Sequence, residues 1–78
     1  RAGYRTLLVD TDARRPRANE LFNLPLGPGF TDLLLDRVDL AEVIRTGPVP
    51  NLDVVTAGNG DPHEAAEVFE QRVADVLG

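Results

Sequence analysis

The chain has 78 residues, of which 42% are hydrophobic and 27% are charged, a composition typical of a globular domain. Its net charge of −5 argues against a surface that binds nucleic acid through bulk positive charge. Cysteine is absent, which excludes disulfides and thiolate metal sites. No apolar run approaches the roughly 18 residues of a membrane span, and no secretory signal is visible.

The first three residues are typical of the end of a helix that begins before this chain. Arg1-Ala2-Gly3 places a glycine directly before a predicted strand, and glycine is favoured just after a helix. The absence of methionine agrees with a piece cut from a longer chain. We therefore expect an internal fragment of a larger domain.

The first strand is predicted over Tyr4–Val9, where a short apolar run ends at two aspartates. The end of this run is continuous rather than alternating, which is typical of a parallel strand buried on both faces. Pro16 suits the first turn of a short helix that ends near Phe22 and turns Leu21 and Phe22 to the core. Two prolines and two glycines predict a loop over residues 23–29.

Two short helices are predicted next. Thr31 is a suitable N-cap for a helix over residues 32–35. Asp39 and Glu42, three residues apart, predict a capping box at the start of a helix over residues 40–45.

The second strand is predicted over residues 52–56, followed by a glycine-rich turn over residues 57–60. The last helix begins with Asp61 as N-cap and Pro62 in the first position. Its apolar residues fall on one stripe: Ala65, Ala66, Phe69, Val73, Val76 and Leu77. Two strands joined through helices predict a parallel α/β sheet, and its further strands are expected upstream and downstream.

The chemistry of the chain is concentrated in Asp10 and Asp12, which follow the first strand. In open α/β sheets ligands bind at this edge. On an extended segment the two side chains point the same way, about 6–7 Å apart. One carboxylate could then hold Mg²⁺, usually through water, while the other faces the reacting group or an arginine. The alternative is local, with Asp12 capping the turn and Asp10 pairing with Arg14 or Arg15.

Arg14 and Arg15 suit bidentate binding of phosphate oxygens, and the alternative is surface pairing with nearby acids. Gly58 and Gly60 could let a nucleotide approach the backbone, although a plain turn is the simpler interpretation. His63, in the first turn of the last helix, is expected at the surface.

Two parts of a nucleotide enzyme are missing from the 78 residues. No G-x-x-x-x-G-K-S/T phosphate loop occurs, and no second apolar strand ends in the aspartate that completes a magnesium site. We therefore expect this chain alone to be unable to hydrolyse or transfer a phosphoryl group.

Residues 7–17 resemble the second Walker motif of the bacterial tyrosine kinases, in which an apolar triplet precedes D-x-D-x-R-R-P. These are the kinases of capsule and exopolysaccharide synthesis. The resemblance continues in order and spacing through four further segments: residues 21–24, 29–34, 40–44 and 50–58.

The resemblance implies a three-layer α/β fold of the P-loop type, with the first Walker motif upstream of this chain and a further one downstream. It implies transfer of the γ-phosphoryl group of ATP to tyrosine. In the family the residues matching Asp10 and Asp12 handle Mg²⁺ and activate the tyrosine hydroxyl. The residue matching Arg14 belongs to the same motif, and Arg15 is expected to contact the nucleotide.

The resemblance also implies partners. The family works in a ring of identical subunits with a membrane-bound activator that regulates polysaccharide chain length. This places the intact protein in the cytoplasm, at the inner face of the plasma membrane, without a nucleic-acid partner.

The chain departs from the family pattern after Gly58, where residues 59–68 replace a proline-rich stretch and N-P-x-E-L-L. It has no tyrosine-rich tail, and its single tyrosine, Tyr4, is predicted on the first strand, so autophosphorylation of this chain is not expected. Two alternatives remain: a partitioning or division-site ATPase, and a non-catalytic regulatory relative. The arginine-rich run over residues 14–17 and the turn over residues 29–34 favour the kinase.

Overall fold

The computed structural model describes residues 4–78, so the helix end expected at residues 1–3 lies outside the described residues. The described part is an α/β unit, as predicted. Its elements follow in chain order: β1 (Thr6–Val9), α1 (Ala18–Leu21), α2 (Phe30–Leu34), α3 (Leu40–Val43), β2 (Arg45–Thr46), β3 (Leu52–Val55) and α4 (Pro62–Leu77).

The sheet has three strands in the order β1-β3-β2. β1 and β3 are parallel, with Val9 opposite Val55, which confirms the predicted parallel pair. β2 pairs antiparallel with the other edge of β3, with Arg45 opposite Val54. Because β3 is the central strand, Val54 and Val55 are buried and form the middle of the core.

α3 begins where the sequence predicts and ends earlier. The Glu42 carboxylate accepts the N–H of Asp39 at 3.0 Å, so this half of the capping box is present. The helix ends at Val43, and its predicted extension to Arg45 is wrong. Arg45 instead pairs with β3, and its guanidinium donates to the carbonyl of Pro28 at 3.0 Å. Sheet pairing thus satisfies backbone groups that another helical turn would have used.

β1 was expected to be buried on both faces, and this expectation is wrong for the described residues. All four β1 residues are exposed, including Leu7, Leu8 and Val9. β1 pairs only with β3, so its other edge has no partner strand in the described part of the chain. Meanwhile α2 and α4 pack against each other. Within the described residues, the apolar side chains of β1 therefore lack the neighbouring strand and helices that would bury them.

α1 is shorter than predicted and faces outward. Pro16 precedes the helix, and Arg17 occupies the N-cap position. Leu21 is 74% exposed, so its predicted place in the core is wrong, and Phe22 is half-buried. A single turn of helix buries only one of its faces, and here that face carries Ala18.

α4 begins as predicted, because the Asp61 side chain accepts the N–H of Glu64 at 3.0 Å and Pro62 stands in the first turn. Its predicted apolar stripe is buried only near the start, at Ala65. The described residues offer neighbours mainly to the first half of the helix. The later members of the stripe are therefore exposed: Phe69, Val73, Val76 and Leu77.

Candidate functional site

The loop after β1 is organised by the carboxylate of Asp10. The Asp10 N–H donates to the carbonyl of Val55 at 2.9 Å, which extends the β1–β3 pairing by one bond. Asp10 Oδ1 accepts the N–H of Asp12 at 3.0 Å. Asp10 Oδ2 accepts the N–H groups of Arg17 at 2.9 Å and Ala18 at 3.0 Å. One side chain thus ties the strand end to the start of α1.

This environment keeps Asp10 ionised. Partial burial is the largest single influence and raises the pKa of the Asp10 carboxyl. The three backbone N–H groups act in the opposite direction and together prevail, so the pKa of Asp10 lies below its ordinary value of 3.8. Hydrogen bonds to the charged form favour that form, which explains the direction.

Asp12 has a more open environment. Its Oδ1 accepts the N–H of Arg15 at 3.2 Å, so Asp12 does cap the turn, as the local alternative predicts. The side chain is exposed, and Oδ2 accepts no hydrogen bond from the described residues. The other half of that alternative is wrong, because Asp10 binds backbone N–H groups instead of Arg14 or Arg15.

The two aspartates therefore do not present a matched pair of carboxylates. Asp10 is directed into its own loop, whereas Asp12 borders a cleft beside that loop. Three or more convergent carboxylate or histidine side chains that could hold a metal ion are not found within residues 4–78. The expected roles of Asp10 and Asp12 as magnesium ligands stay predictions.

The arginines of the loop are exposed and free of ion pairs with residues 4–78. Arg14 borders the same cleft as Asp12. Arg15 contributes its backbone N–H to Asp12, and Arg17 contributes its own to Asp10. The guanidinium groups of all three remain available for an anionic ligand.

The cleft has a volume of about 410 Å³ and three walls. The loop at residues 11–14 forms one wall, and α2 and α4 form the others. Phe30 and Phe69 meet edge to face, with ring centroids 6.5 Å apart. The α4 wall also includes Ala65, so most of the surface is apolar. The charged residues that line the cleft, Asp12 and Arg14, both belong to the loop.

The sequence did not predict the buried hydrogen bonds that two side chains, Thr31 and Asp32, make at the start of α2. Gly29, not Thr31, is the N-cap, and the Asp32 carboxylate accepts the Gly29 N–H at 2.8 Å. The Thr31 hydroxyl donates to the carbonyl of Ala57 at 2.8 Å and accepts the N–H of Gly60 at 2.9 Å. We call Thr31 and Asp32 the clasp.

The clasp also reaches the turn between β3 and α4. Asp32 Oδ2 accepts the N–H of Asn59 at 3.0 Å, in addition to that of Gly29. Thr31 is 1% exposed and Asp32 is 7% exposed. The sequence signals for it were a threonine–aspartate pair ahead of a distant Gly-x-Gly turn, which also fits a simple N-cap, and the family resemblance over residues 29–34.

The glycines of that turn serve the clasp. Gly58 has φ of +94°, and a Cβ atom there would lie 2.6 Å from Asp32 Oδ2. A Cβ atom at Gly60 would lie 2.9 Å from Cβ of Thr31 and 2.9 Å from Cδ1 of Leu35. The simpler interpretation of these glycines as a turn is therefore confirmed, and its physical reason is close packing against α2.

The remaining sequence predictions concern the surface. His63 is exposed as expected, with Nε2 3.8 Å from a carboxylate oxygen of Glu67. Tyr4 is exposed and precedes β1, which begins at Thr6, so its predicted place on the strand is wrong. Among the described helices, none has the length and apolar character needed to cross a membrane.

Comparison with known proteins gives consistent results. No family model matches the sequence. The chain is 43% identical to tyrosine-protein kinase ptk of Acinetobacter johnsonii over 94% of its own length and 10% of that protein. It is 32% identical to tyrosine-protein kinase YwqD of Bacillus subtilis (strain 168) over 81% of its length and 27% of that protein.

Solved structures agree with these relatives. A crystal structure of the chimeric protein CapA2B2 matches 97% of this chain with a TM-score of 0.74 and 35% identity, over 35% of its own chain. The kinase domain of the Escherichia coli tyrosine kinase ETK matches 95% of this chain with a TM-score of 0.76 and 27% identity, over 29% of its own. The chain spans about a third or less of the curated relatives it matches. In sequence and in fold, the chain is similar to one part of the bacterial tyrosine kinases.

Proposed function

We propose that this chain forms part of the ATP site of a protein-tyrosine kinase, and that it supplies the Asp-x-Asp motif of that site. The observation that carries the proposal is the Asp12 carboxylate. It lies at the carboxyl edge of a parallel strand pair, exposed and with one oxygen unbound by described residues. Ligands bind at this edge in open α/β sheets. The kinase names of the relatives favour this function over a partitioning ATPase.

The residues fit magnesium and ATP phosphates. Mg²⁺ in phosphoryl-transfer sites is held through one or two carboxylates and several waters. Asp12 would supply the carboxylate, and Asp10 would hold the loop that presents it. Arg14 and Arg15 would contact phosphate oxygens, for which their free guanidinium groups are suited. Bound Mg²⁺ would neutralise charge on the transferring phosphoryl group.

The cleft fits the acceptor. A tyrosine ring is apolar with one polar end, and the cleft is apolar with Asp12 and Arg14 on one wall. A ring placed against Phe30 and Phe69 would direct its hydroxyl to the loop. Asp12 could then accept a hydrogen bond from that hydroxyl, which would help to orient it toward the transferring phosphoryl group.

The test compares three variants of the full-length protein that carries this chain. We expect Asp12→Asn and Asp10→Asn to reduce tyrosine phosphorylation on the order of 100-fold or more, since each removes a charge needed for positioning. Asp75→Asn changes an exposed aspartate on α4 outside the cleft and serves as the matched control. Phosphotyrosine blotting measures the signal, and circular dichroism checks that each variant folds. Signal from Asp12→Asn equal to that of the control would contradict the proposal.

We further propose the cellular setting that the family resemblance implies. The intact kinase would act at the inner face of the plasma membrane, as a homo-oligomer with a membrane-bound activator, and would regulate the chain length of an exopolysaccharide or capsule. The names of the relatives support the kinase activity, and the setting itself follows from the family resemblance. Polysaccharide of unchanged length in a strain that carries Asp12→Asn would argue against it.

A further inference from the structure

The clasp connects two walls of the cleft. Thr31 belongs to α2 and itself borders the cleft. Its hydroxyl bonds to Ala57, at the end of β3, and to Gly60, just before α4. Asp32 adds a bond to Asn59 in the same turn. The position at which α4 starts is therefore set by α2 through buried hydrogen bonds.

The turn held by the clasp and the Asp-x-Asp loop follow two neighbouring strands of the sheet. β1 ends in that loop and β3 ends in the turn held by the clasp, and the two strands are paired neighbours through Val9 and Val55. The cleft lies between the loop after β1 and the two helices α2 and α4, which the clasp connects. The loop side carries Asp12 and Arg14, and the clasp side carries the apolar walls.

We propose that the clasp is a positioning device for the binding of the tyrosine acceptor: it holds the apolar walls of the cleft at the separation that accommodates an acceptor ring. This inference rests on the proposed function. Thr31 and Asp32 would not contact the phosphates of ATP, because the phosphates are proposed to bind on the loop side of the cleft. Loosening the clasp should therefore weaken acceptor binding and leave ATP binding and turnover nearly unchanged.

The structure supplies a matched pair of variants at Thr31. Thr31→Val keeps the shape of the side chain and removes the hydroxyl, so the bonds to Ala57 and Gly60 are lost. Thr31→Ser keeps the hydroxyl and should restore both bonds. A hydrogen-bond loss of ordinary size corresponds to a change of about tenfold in an equilibrium.

A second pair comes from Asp32 and its turn. Both N–H donors bond to the same oxygen, Oδ2, so Asp32→Asn can keep both bonds through its amide oxygen but loses the negative charge that strengthens them. Gly60→Ala removes no hydrogen-bonding group but places a Cβ atom against Thr31 and Leu35, which should push the turn outward. This variant tests the clasp even if Thr31→Val does not fold.

The experiment measures steady-state kinetics in the full-length protein, with a tyrosine-containing peptide and ATP varied separately. We expect Thr31→Val and Gly60→Ala to raise the KM for the peptide about tenfold, with kcat and the KM for ATP within about twofold. Thr31→Ser should stay within about twofold of the unchanged protein. Melting temperatures identify variants that do not fold.

The possible outcomes distinguish failure of this inference from failure of the proposed function. Absence of tyrosine phosphorylation by the unchanged protein would contradict the proposed function and overturn this inference with it. Phosphorylation by the unchanged protein, together with a Thr31→Val that matches Thr31→Ser, would overturn this inference alone. A fall in kcat at constant peptide KM in both Thr31→Val and Gly60→Ala would also overturn it, because the clasp is proposed to act on binding of the acceptor ring.

Discussion

Asp10 and Asp12 are separated by a single threonine, yet their carboxylates have different partners. Asp10 accepts three backbone N–H groups within its own loop, and the last of them belongs to Ala18, the first residue of α1. Asp12 accepts one, from Arg15, and is otherwise open. An aspartate that stabilises a helix start in this way contributes about 1 kcal/mol. We infer that Asp10 mainly shapes the loop and that Asp12 meets the ligand.

The lowered pKa of Asp10 predicts a pH dependence of stability. Because the pKa in the folded state lies below 3.8, the stabilising contribution is present above that ordinary value and is lost as pH falls through the lowered pKa. Asp10→Asn lacks this contribution at every pH. We expect the unchanged protein to be about 1 kcal/mol more stable than Asp10→Asn at neutral pH, and the difference to shrink in strong acid. Urea unfolding at several pH values measures it, and a constant difference would contradict the prediction.

At the scale of the element, the start of α4 is determined by contacts within its own first turn. Asp61 accepts the N–H of Glu64, and Pro62 needs no donor partner in the first turn. These contacts lie within one turn, so they do not depend on the rest of the fold. The helix forms as predicted even though its later apolar residues are exposed.

We predict that Asp61→Ala lowers the free energy of unfolding by about 1 kcal/mol, because it leaves the N–H of Glu64 without its partner. Asp75→Ala is the control, since Asp75 lies near the exposed end of the same helix and is not its cap. Urea unfolding of both variants decides the matter. A smaller loss for Asp61→Ala than for Asp75→Ala would show that the cap is unimportant.

At the scale of the whole molecule, we propose that the nucleotide site is completed by sequence outside these 78 residues. The Asp-x-Asp loop is present, whereas the phosphate-loop pattern G-x-x-x-x-G-K-S/T does not occur. In P-loop enzymes that loop and its lysine hold the β- and γ-phosphates, so most of the binding energy for ATP comes from there. The exposed apolar side chains of β1 fit the same division, because another strand could pair with its open edge.

We therefore predict that the 78-residue chain alone shows no saturable binding of magnesium-ATP. Isothermal titration calorimetry with millimolar nucleotide measures this, and the full-length protein provides the positive control. Clear saturation with the 78-residue chain would mean that the Asp-x-Asp loop binds nucleotide without a phosphate loop.

The predictions that succeeded depend on short-range signals. The strand pair β1 and β3 and the start of α4 follow from apolar runs and from caps within a few residues. The resemblance to the tyrosine kinases likewise came from motifs in the chain. Hydrogen-bonding preferences between residues close together in the chain follow from the residue types alone, so such features can be predicted without a structure.

Other features depend on partners far along the chain. The clasp joins residues 26 to 29 positions apart, and Arg45 leaves its predicted helix to pair with β3. Exposure of Leu21 likewise depends on which neighbours are present. By itself, the sequence determined the resemblance to the tyrosine kinases, the strand pair and the place of the Asp-x-Asp motif. Only the tertiary structure decided which aspartate faces the cleft and what holds its walls, because these depend on backbone groups brought together by folding.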